Sequence, residues 1–256
     1  MPREQKRSAG RELPPPLPPE RRTVGQAVAE TIRLYGASFV RALPLGLVVA
    51  VANQLTVGRS RLAAIVVLLV AAPFFTLAYA FATRLALGVR PPARSWLVAL
   101  LVGTIVFLPA ALFFPWFALA SVFWLALVGL SVPVAMAERR GAVDSVRRSL
   151  GLARAGYLHA AGSFVTFAAL FVLTRTALAL VLRSQADSAV RTAIFVADTL
   201  VAPLLFLGAI TVYVDLEARL RSRERDGKER DADLSDADDP DREGRPDAAR
   251  EPGAVA

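Results

Sequence analysis

The sequence predicts an all-α polytopic membrane protein: six transmembrane helices with two amphipathic helices on the cytoplasmic surface. Three observations carry this. The 256-residue chain is 55% hydrophobic with a mean hydropathy of +0.46, above the roughly 45–50% apolar content of a soluble domain. The excess is concentrated between polar ends, in runs of about twenty residues nearly free of charge, the length needed to cross a bilayer. The basic residues lie overwhelmingly on one side of those runs.

Residues 1–22, MPREQKRSAGRELPPPLPPERR, are too polar and too long a lead to be a secretory signal. "LPPPLPP" (13–19) favours polyproline II, so this segment reads as a disordered Pro-rich cytoplasmic arm. The alternative is a docking peptide for a proline-binding module. "TVGQAVAETIRLY" (23–35) reads as a surface helix, with Thr23 and Gln26 forming a capping box. Its apolar stripe is Val24, Val28, Ile32 and Tyr35.

Six spans follow, at about 38–57, 62–87, 95–113, 116–137, 157–182 and 193–214. The third and fourth are separated by the uncharged "FFPWF" (113–117), read as a tight hairpin at Pro115, because the joint run is too long for one span. From Leu220 the chain is charged and free of aromatics, so 220–256 reads as a disordered cytoplasmic tail. The domain plan is therefore an arm 1–22, a membrane domain 23–219 and a tail 220–256.

Orientation follows from the positive-inside rule. The segments sharing the side of the N-terminus hold 22 Arg and Lys up to Arg230; the opposite side holds four, Arg59, Arg61, Arg183 and Arg191. Both termini are expected in the cytoplasm. With 28 Arg against 2 Lys, the composition suggests a GC-rich bacterial genome, and the expected location is the bacterial cytoplasmic membrane.

The net charge of +8 is divided. Residues 1–214 carry 21 basic and 8 acidic residues; residues 215–256 carry 9 and 14. A basic membrane body with an acidic tail does not read as a nucleic-acid binder. Its arginines cluster in the loop between spans four and five. There Val143, Val146, Leu150 and Ala153 form an apolar stripe, with Arg147, Arg148 and Arg154 off it. Arg139, Arg140, Arg147, Arg148 and Arg154 are candidate contacts for anionic lipid headgroups, at about 1 kcal/mol each; the alternative is that they only fix topology. This loop helix resembles residues 23–35 at an offset of 118: Val28 matches Val146, Ile32 matches Leu150, and Phe39-Val40-Arg41-Ala42 matches Tyr157-Leu158-His159-Ala160.

Three stretches carry a family resemblance: "TVGQAVAETIRLYGASFVRAL", "VPVAMAERRGAVDSVRRSLGLARAGYLHAAG" and "TVYVDLEARLRSRERDG". Over roughly 23–227 the chain resembles the membrane domain found beside some bacterial glycerophosphoryl diester phosphodiesterases, and its stand-alone relatives. Glu217 stands where that pattern prefers arginine. The catalytic domain of those enzymes has no counterpart here, so the resemblance implies a fold and no activity.

Chemistry is sparse. No cysteine is present, which removes disulfides, thiolate metal sites and thiol nucleophiles. The single histidine, His159 at the edge of span five, cannot build a zinc site alone and reads as an interfacial histidine. No Ser-His-Asp, HExxH or paired-carboxylate pattern appears, so neither an enzyme nor a cofactor is expected. Two charges fall inside spans, Arg175 and Asp198. Counted from the middle of the loop joining spans five and six, their depths differ by roughly 3 Å at 1.5 Å per residue. An intramembrane ion pair is predicted, since such charges usually pair or face a cavity. Small-residue faces (Gly46, Ala50; Ala78, Ala82, Ala86) suit close helix packing, within the chain or between copies. The expected role is a non-enzymatic scaffold or accessory component contacting lipids or partner membrane proteins. The alternative is a small-solute or lipid transporter, for which Asn53, Gln54, Arg175 and Asp198 would line a polar cavity.

Overall fold

The computed structural model describes residues 17–237, and every regular element among them is helical. Six helices are long and apolar enough to cross a membrane. The chain divides after Arg219 into two compact units.

In the first unit, α1 (Val24–Ala37) begins on the expected capping box: the Thr23 hydroxyl accepts from the Gln26 N–H, and the Gln26 side chain accepts from the Thr23 N–H. This satisfies helix-terminal N–H groups that have no carbonyl four residues back. Ser38 breaks the helix, and α2 (Phe39–Thr56) starts at once. Gly58, at φ 72°, takes the left-handed conformation that glycine adopts without a Cβ clash and reverses the chain into α3 (Arg61–Leu87). A second left-handed glycine, Gly88, ends α3. Pro92 then precedes α4 (Ala93–Phe113), and a turn around Pro115 leads into α5 (Ala118–Val128). Gly129 and Leu130 separate α5 from α6 (Ser131–Ala137), so the fourth span is interrupted.

The fifth span is the second half of a longer element, α7 (Ala142–Val181), bent at the non-helical Gly156. Its first half is the predicted basic surface helix. The sixth span, expected as one helix, is two: α8 (Asp187–Val201) and α9, which begins at Pro203. Pro203 has no N–H for the Thr199 carbonyl, and Ala202 turns the chain between them.

The core gathers around α9. Phe206, Leu207, Ala209 and Ile210 pack with Ala42 and Leu45 of α2, Ala78 and Ala82 of α3, Ala99 of α4, and Val132 and Met136 of α6. Small side chains dominate because helices in lipid gain from close backbone approach rather than from leaving water. Gly46, Ala50, Ala78 and Ala82 are all buried within the chain. A smaller cluster, Val102, Val106 and Val128, seats Val146 and Leu150 of α7.

At both ends regular structure runs past the bounds expected for the membrane domain. The arm is structured before residue 22: Pro19–Arg21 form a 3-10 turn, and Arg22 is held by Asp215. Residues 1–16 of the arm lie outside the described residues. In the second unit, the tail expected to be disordered is helical through Ala237, where α9 ends. Opposite charges four apart, Glu224 with Lys228 and Asp226 with Arg230, favour a helix there. Residues 238–256 lie outside the described residues.

Positions 118 apart share structure as well as sequence. Thr23 and Gly141 are both N-caps, and Ser38 and Gly156 both break a helix. Ala27 and Ser145, Thr31 and Ser149, and Ala42 and Ala160 are buried pairwise. Glu20-Arg21-Arg22 recurs as Glu138-Arg139-Arg140.

Candidate functional site

Two polar clusters stand out in a largely apolar bundle. The first lies among the spans. Asp198 is held on α8 one residue before Thr199, whose carbonyl Pro203 leaves without its helical donor, and its carboxylate is completely buried. Asn53 Nδ2 donates to Asp198 Oδ2 at 2.9 Å, and Arg175 Nε stands 3.3 Å from Oδ1. The guanidinium N–H is not aimed at Oδ1, which accepts no hydrogen bond, so this contact is a Coulombic pair. The Arg175 guanidinium also lies 5.6 Å from the centre of the Phe171 ring, within cation–π range. Gln54 is tied separately, donating to the Arg191 carbonyl at 2.8 Å. The predicted partners Arg175 and Asp198 therefore come together. Of the four residues proposed to line a polar path, three close on one another and the fourth caps a neighbouring backbone.

The α8–α9 break is sealed from α1 and α2. The Leu200 carbonyl accepts from the Tyr35 hydroxyl at 2.7 Å. Burial raises the Tyr35 pKa above the ordinary phenol value. Gly46 lies so close that a Cβ there would overlap the Thr199 carbonyl oxygen and the Pro203 ring.

The second cluster lies at the end of the bundle that carries α1. Asp215, completely buried, receives Arg22 Nη1 at 3.1 Å on Oδ1 and faces His159 Nε2 at 3.3 Å on Oδ2. Arg219 donates to the Arg22 carbonyl at 2.6 Å. Nearby, Glu138 holds Arg140 at 2.6 Å and Arg148 at 3.3 Å and accepts from the Tyr213 hydroxyl at 3.3 Å. His159 is 7% exposed, and its hydrogen-bond partner among the described residues is Asp215. A histidine–carboxylate pair can orient an imidazole for base catalysis. Here the carboxylate also pairs with Arg22, so Asp215 joins the segment before α1, α7 and α9. Among the described residues no group of His, Cys, Asp and Glu could hold a metal ion.

This second cluster was missed by sequence reasoning apart from His159. Its signal was the repeated Glu-Arg-Arg, and a buried acid at the end of the last apolar run. The five candidate lipid contacts divide. Arg140 and Arg148 are engaged with Glu138, whereas Arg139, Arg147 and Arg154 are exposed. The predicted apolar stripes divide: Val146, Leu150 and Ala153 pack inward, whereas Ile32 and Val143 point out. Ile32 is 51% and Val143 64% exposed, while Thr31, Ser149 and Leu152 are fully buried. Ser149 donates to the Leu127 carbonyl at 3.0 Å and Thr31 to Thr211 at 3.0 Å, so each inner face carries a hydrogen-bonded hydroxyl among apolar residues.

No family model matches the chain, and no curated protein or solved structure matches it.

Proposed function

We propose that this chain is a non-enzymatic scaffold or accessory protein of the bacterial cytoplasmic membrane, with both termini in the cytoplasm. In this reading it is a stand-alone relative of the membrane domain associated with glycerophosphoryl diester phosphodiesterases. One observation carries the scaffold role: the charged and amide side chains inside the bundle are consumed by each other. Asp198 is wholly buried against Asn53 and Arg175, so this acid is taken up inside the bundle. The partner-facing surface is the rim left over, with Arg139, Arg147 and Arg154 exposed beside Val143.

A second reading, transport of a small solute or lipid, has one observation in its favour. A helix broken beside a buried acid is a common way to build a transport site. Gly46 and Tyr35 fill that break, which weighs for the scaffold. Photo-cross-linkers placed at Arg147 and Val143 in cells test the choice. The expected result is a discrete adduct with another membrane protein. Lipid adducts alone, together with solute flux in proteoliposomes that Asp198→Asn abolishes, would replace the scaffold by the transporter.

A further inference from the structure

Arg41 on α2, Arg84 in the last turn of α3 and Arg90 just beyond it line one cavity of about 450 Å³, walled by Leu45, Phe81 and Gly88. No carboxylate lines it, and none of the three guanidiniums has a hydrogen bond or ion pair among the described residues. On the same side of the bundle, Arg22, Arg140 and Arg148 are each neutralised by a carboxylate. Three unpaired cations around one cavity repel each other, and a shared anion relieves that. The carbonyls ending α3 contribute only about half a negative charge, far less than three guanidiniums.

An apolar groove of similar volume lies along the same two helices, lined by Leu47, Val51 and Leu55 of α2 and Val66, Val70 and Phe74 of α3. Helical register puts groove and cavity on one seam. Arg41, Leu45, Val48 and Ala52 follow at steps of four, three and four on α2. Phe74, Phe81 and Gly88 follow at steps of seven on α3. From Arg41 to Val51 is ten residues, about 15 Å of helix, which is half of the roughly 30 Å hydrocarbon core. Phe81 and Phe74, at 46% and 56% exposed, leave the seam open sideways.

The geometry points to a binding site for one anionic phospholipid, its phosphate among Arg41, Arg84 and Arg90 and one acyl chain in the α2–α3 groove. The continuous apolar groove selects a lipid over a free phosphate, and three unpaired charges select an anionic headgroup over a zwitterionic one. The site rests on the reading that this end of the bundle faces the inner leaflet. Retention measured in detergent does not depend on orientation, so an error of topology and an error about this site would show in different experiments.

The test is native mass spectrometry of the full chain in mild detergent with added phosphatidylglycerol or phosphatidylcholine. One phosphatidylglycerol should be retained in preference to phosphatidylcholine. Each Arg→Gln change at 41, 84 or 90 should weaken retention about fivefold, and the triple change roughly a hundredfold. The triple change Arg59→Gln, Arg61→Gln and Arg183→Gln removes as much charge from exposed positions at the opposite ends of the spans and should leave retention unchanged. Val51→Trp should lower it with the arginines intact. Where the triple variant does not fold, Arg90→Gln, in a turn, carries the same fivefold expectation. Equal retention of both lipids, equal loss in the control triple, or displacement by excess inorganic phosphate would overturn the site.

Discussion

Asp198 has exchanged water for two protein groups, and the exchange holds only while both remain. Asn53 supplies its hydrogen bond and Arg175 its charge. Removing one partner of a buried pair costs about 3–5 kcal/mol, because the other is stranded. Arg175 is 29% exposed, so it can relax toward headgroups and the cost of Asp198→Ala falls at the low end. Asp198→Ala should destabilise the protein, and Arg175→Ala on top should recover part of the loss. Thermal unfolding of the four proteins in detergent measures the coupling, expected at about 0.5–3 kcal/mol; additive effects would show no coupling. A second residue acts through its backbone. Arg139 sits at φ 55° in the turn before α7, where a side chain costs about 1–2 kcal/mol and glycine almost nothing. Arg139→Gly should therefore stabilise the protein by about 1 kcal/mol, read as a higher unfolding midpoint. The ion pair was legible in the sequence, because depth along antiparallel spans is simple arithmetic. The left-handed arginine was not, since nothing in "AERRGA" says which residue of the turn takes positive φ.

The first half of α7 shows where apolar patterning misleads in a membrane. In water, an apolar stripe marks the inner face of a helix. Here lipid is as apolar as the core, so apolar residues face both ways. Small hydroxyls that need protein carbonyls mark the interior instead. Ser145, Ser149 and Leu152 face inward and Val143 faces out; α1 repeats this with Thr31 inside and Ile32 out. Leu152→Ala should then cost about 2–5 kcal/mol as a cavity change, while Val143→Ala should stay within about 0.5 kcal/mol. Paired denaturation curves decide between the two orientations. A larger loss at Val143 would mean that Val143 packs inward with Val146, Leu150 and Ala153. The small-residue faces of α2 and α3 were readable, since Gly46, Ala50, Ala78 and Ala82 meet neighbours inside the chain.

For the whole molecule, the spans were legible because each is a long apolar run, and their number sets the relative side of the two ends. With Asp144→Cys or Ser188→Cys in this cysteine-free chain, an impermeant thiol reagent applied to intact cells should label only position 188. Labelling of 144 alone would invert the topology. The network around Asp215 was not legible, because Arg22 lies 193 positions away and His159 lies 56 away; no local pattern encodes such pairings. The same distance in sequence governs the seal at Pro203. Gly46 is made early, yet the carbonyl and ring that cover it are 153 and 157 residues downstream. At about 5–20 residues per second, the first hairpin waits in the bilayer for roughly 8–30 seconds with that face against lipid. Asn53, too, spends that interval without its carboxylate. The synthesis of span six is thus when Gly46 acquires its final neighbours, and a ribosome stalled after span five leaves the first hairpin packed on α4 and α6 but open on the face that Thr199 and Pro203 cover.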